Sequence, residues 1–293
     1  MKRGSQQRGP SKAMKILSLF LRHGTEKYKD ASTTLSEYYL RRLPGVTITR
    51  VIIDSATPVE TESVLDDGTL VIGGDNSLWE FSAWDTGLAR FASTLARYDY
   101  VHFVTSAYLQ LYTAYIDRID SSMLQALQGK DIALGHIDAY NEPVEFLGVT
   151  SQAWIRSSFL FIPPFALRRL GAVTTLGDRA AWFSGDIENP FAQRAAIGPD
   201  MRRNIVSWLT GDGTGQGTTW HSRFVLKRET MPFFEAKTLA ILNEHALSLR
   251  LLAQGTSLVD PTWMSAVLQK KPLVDARALI DWRRQLAQRA PYL

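Results

Sequence analysis

The sequence contains no cysteine. Disulfides, thiolate nucleophiles and Cys-held zinc or iron–sulfur centres are therefore excluded, and a reducing cytoplasm is the expected setting. It also contains no apolar run near the ~18 residues of a membrane span. Ile16–Leu21 is too short for the apolar core of an export signal, and Arg22-His23 stand where a small-residue cleavage site would be needed. Charge of one sign is scarce too: 33 Lys and Arg face 29 Asp and Glu over 293 residues. Lys2, Arg3, Arg8 and Lys12 fall within the first 13 residues, so the remainder balances at 29 of each sign. That gives no ground for a nucleic-acid surface. The first 13 residues, rich in Gly, Ser and Gln, read as a disordered basic tail, with contact to acidic lipid at the inner face of a membrane left open. No Gly-x-Ser-x-Gly elbow occurs, and the five histidines (23, 102, 136, 221 and 245) are scattered. The glycine-rich loop 211–217 lacks the Gly-Lys-Ser/Thr of a P-loop.

What is present is an ordinary globular composition, 45% apolar and 21% charged. The first half alternates between two periods. Lys15–Leu21 reads as a buried strand; residues 32–43 place Leu35, Tyr38, Tyr39 and Leu43 at helical spacing; Val46–Ile53 reads as a β-branched second strand ending at Asp54. The unit then repeats, with a strand over Thr69–Ile72, a helix over 80–97 and a strand over Tyr100–Val104, inside which His102 is expected to be core. A helix over 120–128 and a strand over Asp131–Leu134 follow. This alternation predicts an α/β fold with a doubly wound, mostly parallel sheet. The second half is richer in Trp and Arg and less regular. Phe159–Ile162 reads as a strand, 234–252 as a buried helix and 274–288 as a last helix with Leu279, Trp282 and Leu286 on one face.

In an open parallel sheet, ligands bind beyond the carboxyl ends of the strands. His23-Gly24, Asp54, Asp75-Asn76 and Thr105-Ser106 occupy those ends, although each residue type is also ordinary turn chemistry. His136 and Asp138 alternate and would share a strand face. They read as a hydrogen-bonded pair, a substrate contact or, with Glu142, a metal site. Trp154 and Arg156 also share a face: an aromatic beside a guanidinium suits a sugar ring and a diphosphate, or a core residue beside an ion pair. Glu244 lies on a mostly apolar helix beside Asn243 and His245, as a base or as half of a buried ion pair. Trp220-His221 follow the glycine loop as an aromatic platform on a lid, or as a surface anchor.

The stretch Asp75-Asn76-Ser-Leu-Trp-Glu80-Phe-Ser-Ala-Trp-Asp85-Thr-Gly87, followed by Tyr98–Ala107, resembles the nucleotide-sugar-binding half of glycosyltransferases with the GT-A fold. Glu80–Gly87 is similar to a segment of rhamnan-synthesis and related cell-surface polysaccharide glycosyltransferases. The likeness covers roughly residues 15–170 and divides the chain into a tail (1–13), a nucleotide-sugar-binding half (14–170) and an acceptor-side, helical C-terminal region (171–293). The resemblance implies that Asp54 receives a base N–H, that Asp75 and Asn76 lie along the nucleotide, and that Glu80 and Asp85 face the donor. It also implies a catalytic base about two dozen residues after the donor-sugar strand, which Asp178 or Asp186 fits by position. Thr105-Ser106 stand where a metal-dependent member has Asp-x-Asp, so dependence on Mg²⁺ or Mn²⁺ stays open and any metal ligands would lie elsewhere, first at His136 and Asp138. Arg156 is the expected diphosphate ligand, with His136 and Asp138 lining the sugar site.

The expected activity is transfer of a sugar from a nucleotide-diphosphate sugar to a saccharide or glycolipid in surface polysaccharide synthesis. The alternatives are a non-catalytic saccharide- or nucleotide-binding protein on the same scaffold and another doubly wound transferase. The second is disfavoured by a single glycine in the first turn, His23-Gly24-Thr25.

Overall fold

The computed structural model describes residues 13–110, 113–211, 224–267 and 281–292. Their elements run β1 (Lys15–Arg22), α1 (Ala31–Arg42), β2 (Thr47–Asp54), β3 (Glu62–Val64), β4 (Leu70–Gly73), α2 (Glu80–Phe91), β5 (Tyr100–Thr105), α3 (Ser121–Leu127), β6 (Ile132–Phe146) and β7 (Val149–Ile162). They continue with α4 (Pro164–Leu170), α5 (Arg179–Trp182), α6 (Pro199–Thr210), α7 (Met231–Ala253), β8 (Ser257–Val259), α8 (Pro261–Val267) and α9 (Trp282–Arg289). The expected tail and the residues Trp220, His221 and Leu279 lie outside the described residues, apart from the tail's last residue. Among the described residues no helix is long and apolar enough to cross a membrane.

All eight strands form one sheet in the order β3-β4-β2-β1-β5-β7-β6-β8. The β4, β2, β1 and β5 strands are mutually parallel, β7 pairs antiparallel with β5 and β6, and β8 is parallel to β6. The protein is thus α/β with a mostly parallel mixed sheet. Alternation along β1 explains the layering. Ile16 and Phe20 pack against α1, α3 and α8 on one face; Leu17, Leu19 and Leu21 pack against α2, α4 and α7 on the other. Buried on both faces, the strand reads as a continuous apolar run. The polar residue inside that run, Ser18, is 2.6 Å from the Tyr39 hydroxyl, which lies 2.7 Å from His102 Nδ1. His102 stacks on Phe161 in the core.

Helix α2 approaches the sheet closely because Gly87 has no side chain: a Cβ there would lie 2.6 Å from Ile53 Cδ1. Beside it Trp84 meets Phe81 and Phe103 edge-on, at 5.7 and 5.1 Å between centroids. Such pairs contribute about 0.5–1.5 kcal/mol beyond their burial.

The second half departs from the sequence expectations. The strands expected at 131–134 and 159–162 are parts of a long hairpin closed by Leu147-Gly148, both at positive φ (54° and 73°). Two such residues make the tight turn that matches strand twist. The hairpin carries two irregularities. His136 alone stands opposite Arg156–Phe159, and Gln152 alone opposite Tyr140–Asn141–Glu142–Pro143. A third apolar cluster forms under the distal hairpin, where Tyr140, Phe146 and Trp154 meet α5, α6 and the start of α7. The helix expected over 80–97 ends at Phe91, and a short 3₁₀ turn covers Leu95–Arg97.

Candidate functional site

A cleft of about 770 Å³ opens at the carboxyl edge of the parallel strands, where the chain leaves β1 toward β2 and β5 toward β6 on opposite sides of the sheet order. One wall is made of strand ends and the loops after them: Leu21, Arg22 and His23 from β1, Ser55 from β2, Asn76 and Trp79 before α2, and Thr105 and Ser106 from β5. The other wall comes from the β7 irregularity (Trp154–Ser158), α6 (Ser207, Trp208) and one face of α7.

The irregularity explains the second wall. Four residues against one cannot keep the ladder, so backbone donors lose their strand partners. Side chains replace those partners. Ser157 N donates to Glu244 Oε1 at 2.6 Å, Ile155 N donates to Ser248 Oγ at 3.0 Å, and Ile137 N donates to Asp260 Oδ2 at 3.1 Å. The Ser157 hydroxyl also donates to Glu244 Oε1, at 2.7 Å. Both bonds use Oε1, and among the described residues Oε2 has no hydrogen bond. Burial pushes the Glu244 carboxyl above the usual range, against the pull of Arg156 and the Ser157 bonds.

Arg156 grips Asp138 in the same region. Its Nη2 and Nε donate to Asp138 Oδ2 at 2.6 and 3.1 Å. Burial works to raise the Asp138 pKa, but Arg156 outweighs it and the carboxylate stays below its usual range. Trp154 is buried, 4.4 Å from the His245 ring and 5.9 Å from Trp208. At the far end of the cleft Glu80 is half-buried. Burial pushes its carboxyl up, while Lys237 opposes the shift. The Lys237 ammonium sits 4.2 Å above the Trp79 ring, and that ring lies 5.8 Å from Phe233.

Asn76, Glu80, Thr105, Ser106, Asp138, Trp154, Arg156 and Glu244 therefore meet in one cleft. Other expected site residues have different places. Asp54 is buried and accepts from Gly24 N (2.9 Å), Ala56 N (3.0 Å) and Arg22 Nε (2.7 Å). Burial alone would raise its pKa, but these donors lower it. The carboxylate fixes two loops and is not among the residues that line the cleft. Asp75 closes its own turn through Ser77 N and Oγ. Asp85 accepts from Val173 N and Thr174 N, tying α2 to the segment after α4 rather than facing a donor. His136 does not share the cleft with Asp138. The register shift beside it turns it into the core, stacked on Tyr115 and next to Asp260 and Arg289. Burial holds it neutral, with a pKa near 4. Asp178 caps α5 through Ala180 N and is exposed, and Asp186 accepts from Glu188 N in an exposed turn. Both lie off the cleft, as capping and turn aspartates do. Arg156 is the expected cation, but Asp138 already engages it.

The sequence reading missed Lys27, Tyr28, Trp79, Trp208 and Lys237 in the cleft. A signal existed for Lys237. Phe233, Lys237, Ile241, Glu244 and Ser248 follow at spacings of four, four, three and four, which is one stripe of a helix. A charged stripe on an otherwise apolar helix marks the face turned to a cavity.

Among the described residues no group of three or more His, Asp or Glu could hold a metal ion. Comparison of the chain with protein-family models, with curated proteins and with solved structures finds no match.

Proposed function

We propose that the protein is a glycosyltransferase with a GT-A-like nucleotide-binding half. It would move a sugar from a nucleotide-diphosphate sugar to a saccharide or glycolipid of a surface polysaccharide. The observation that carries this reading is Glu244. Its Oε1 is fixed by Ser157, its Oε2 has no hydrogen bond among the described residues, and burial raises its pKa inside the cleft at the sheet's switch point. A general base needs these features: a fixed position, an open oxygen and a pKa brought toward the working pH. The order β4-β2-β1-β5 repeats that of half a doubly wound dinucleotide-binding sheet, which supports a nucleotide at the first wall.

In this reading the acceptor hydroxyl gives its proton to Glu244 Oε2 as its oxygen bonds to the sugar's anomeric carbon. The bond from that carbon to the diphosphate breaks, and the diphosphate leaves with the electron pair. One base and one displacement give inversion at that carbon. Cations of the cleft meet the leaving charge, a form of fixed electrostatic stabilisation. Trp208, half-buried and lining the cleft beside the stacked Trp154 and His245 rings, would meet a sugar.

Glu244→Gln tests the assignment, because the amide oxygen still accepts from Ser157 and the fold is preserved. With a panel of nucleotide sugars and simple glycoside acceptors, nucleoside diphosphate release should fall by about 10²–10⁴ while donor affinity stays within about threefold. Unchanged turnover in Glu244→Gln removes Glu244 as the base. A second reading, a binding protein on the same scaffold, draws on the engagement of Arg156 by Asp138. Tight donor binding without release of nucleotide from any donor selects it.

A further inference from the structure

Two lysines line the cleft from different elements: Lys27 in the loop after β1 and Lys237 on α7. Among the described residues neither ammonium has a carboxylate within 4.0 Å, in contrast to Arg22 and Arg156, which pair with Asp54 and Asp138. Each instead lies over an aromatic ring, Lys27 at 4.9 Å from the Tyr28 centroid and Lys237 at 4.2 Å from that of Trp79. A ring face steadies a cation without neutralising it. Tyr28 and Trp79 are also conformationally unusual. With φ of 59° and 55°, they are two of the three non-glycine residues in the left-handed region among those described. The third, Leu147, is explained by the hairpin turn. Tyr28 and Trp79 lie in the turns that lead into α1 and α2, and backbone strain of this kind concentrates at ligand sites.

The two ammonium groups repel each other, and burial of Lys237 strengthens the penalty for its charge. A group with several negative oxygens would relieve both. The guanidinium nearest the expected sugar site, Arg156, is held by Asp138 and offers less.

We propose that Lys27 and Lys237, each braced on the ring of a left-handed aromatic residue, seat a diphosphate group. The proposal rests on the glycosyltransferase reading and deepens it. It places the donor's leaving group between the β1 loop and α7, away from Arg156. The lysines carry the charge that an Asp-x-Asp-held cation would otherwise meet. Glu80 lines the same cleft, where burial pushes its carboxyl up and Lys237 opposes the shift.

Calorimetric titration in EDTA tests it with inorganic pyrophosphate, UDP, GDP and geranyl diphosphate. The variants are Lys27→Met, Lys237→Met and Lys237→Arg, with Lys227→Met as a control that loses the same charge outside the cleft. At least one diphosphate should bind the unaltered protein. Its affinity should fall about tenfold or more in Lys27→Met and in Lys237→Met, the loss of one charge-assisted contact. It should stay within about threefold in Lys237→Arg and Lys227→Met. Binding equally tight in the two methionine variants, or binding that requires Mn²⁺, overturns the proposal, as does failure of every diphosphate to bind. The failure of the parent reading looks different. UDP or GDP held through the lysines without turnover of any nucleotide sugar leaves the site standing and removes glycosyl transfer. Lysine-dependent binding of geranyl diphosphate alone leaves the site standing and removes the nucleotide donor.

Discussion

The two sides of the cleft use carboxylates in opposite ways. Behind the parallel-strand wall, and outside the cleft lining, Asp54, Asp75 and Asp85 turn to backbone amides and shape loops. On the hairpin wall, Asp138 and Glu244 stand among side chains that line the cleft, one paired with Arg156 and the other bonded to Ser157. The difference follows from the backbone. Parallel strands end in tight βα loops whose amides need local acceptors. The hairpin irregularity leaves unpaired donors in mid-strand, and side chains from α7 and the segment before α8 reach them. Regular topology therefore positions the cleft, and its departure from regularity supplies the groups able to do chemistry.

The comparison is sharpest between two aspartates of similar design. Asp260 accepts from Ile137 N, Thr262 N and Trp263 N and pairs with Arg289. Asp54 accepts from Gly24 N and Ala56 N and pairs with Arg22. The side chain of Arg289 is 8% exposed, whereas that of Arg22 is 24% exposed. Asp260→Ala strands a charge that water does not reach and should cost about 3–5 kcal/mol in urea unfolding. Asp54→Ala leaves Arg22 partly hydrated and should cost about 1–3 kcal/mol, chiefly from the orphaned amides. A cost for Asp54→Ala at or above that of Asp260→Ala would break the argument that burial sets the difference.

The same contrast explains what the sequence discloses. Along β1, β2, β4 and β5 every strand is short and apolar, and α1 and α2 keep a helical period, so the alternation is legible. The hairpin is not. Its irregularities at 140–143 and 156–159 break the two-residue period in both strands, and Leu147-Gly148 lacks the Asn-Gly or Asp-Gly that signals a tight turn. The three-residue strands β3 and β8 are too short to carry a pattern. For the site, Asn76, Thr105 and Ser106 follow from strand ends and Glu244 from an acid on an apolar helix. Asp85 and Asp178 have the residue type of a site but the job of holding amides, which only three dimensions reveal. His136 is lost to the same irregularity that brings Arg156 and Ser157 into the cleft.

The smallest expected effect is the pH dependence of stability, in which buried histidines and buried carboxyls oppose each other. Burial lowers His136 and His245 to pKa values of about 4 and His102 further, from an ordinary 6.5. From pH 6.5 down toward 4 the unfolded chain therefore binds protons that the native protein does not. The histidine contribution is full above pH 6.5 and is lost as pH falls through that window. Glu80 and Glu244 act the other way. Burial raises their folded pKa, so the native protein holds protons that unfolded carboxyls release, and acid relieves their desolvation. The three histidines outnumber the two carboxyls, and the lowered Asp54 and Asp138 act on the histidines' side, so unfolding near pH 5 should take up protons on balance. Urea unfolding of the unaltered protein should show a shallow loss of stability from pH 7 to 5. Glu244→Gln removes one opposing group and should steepen that loss, while His102→Phe removes one contributor and should flatten it. Identical slopes in all three proteins would mean that neither the core histidines nor the cleft carboxyl titrates as its burial requires.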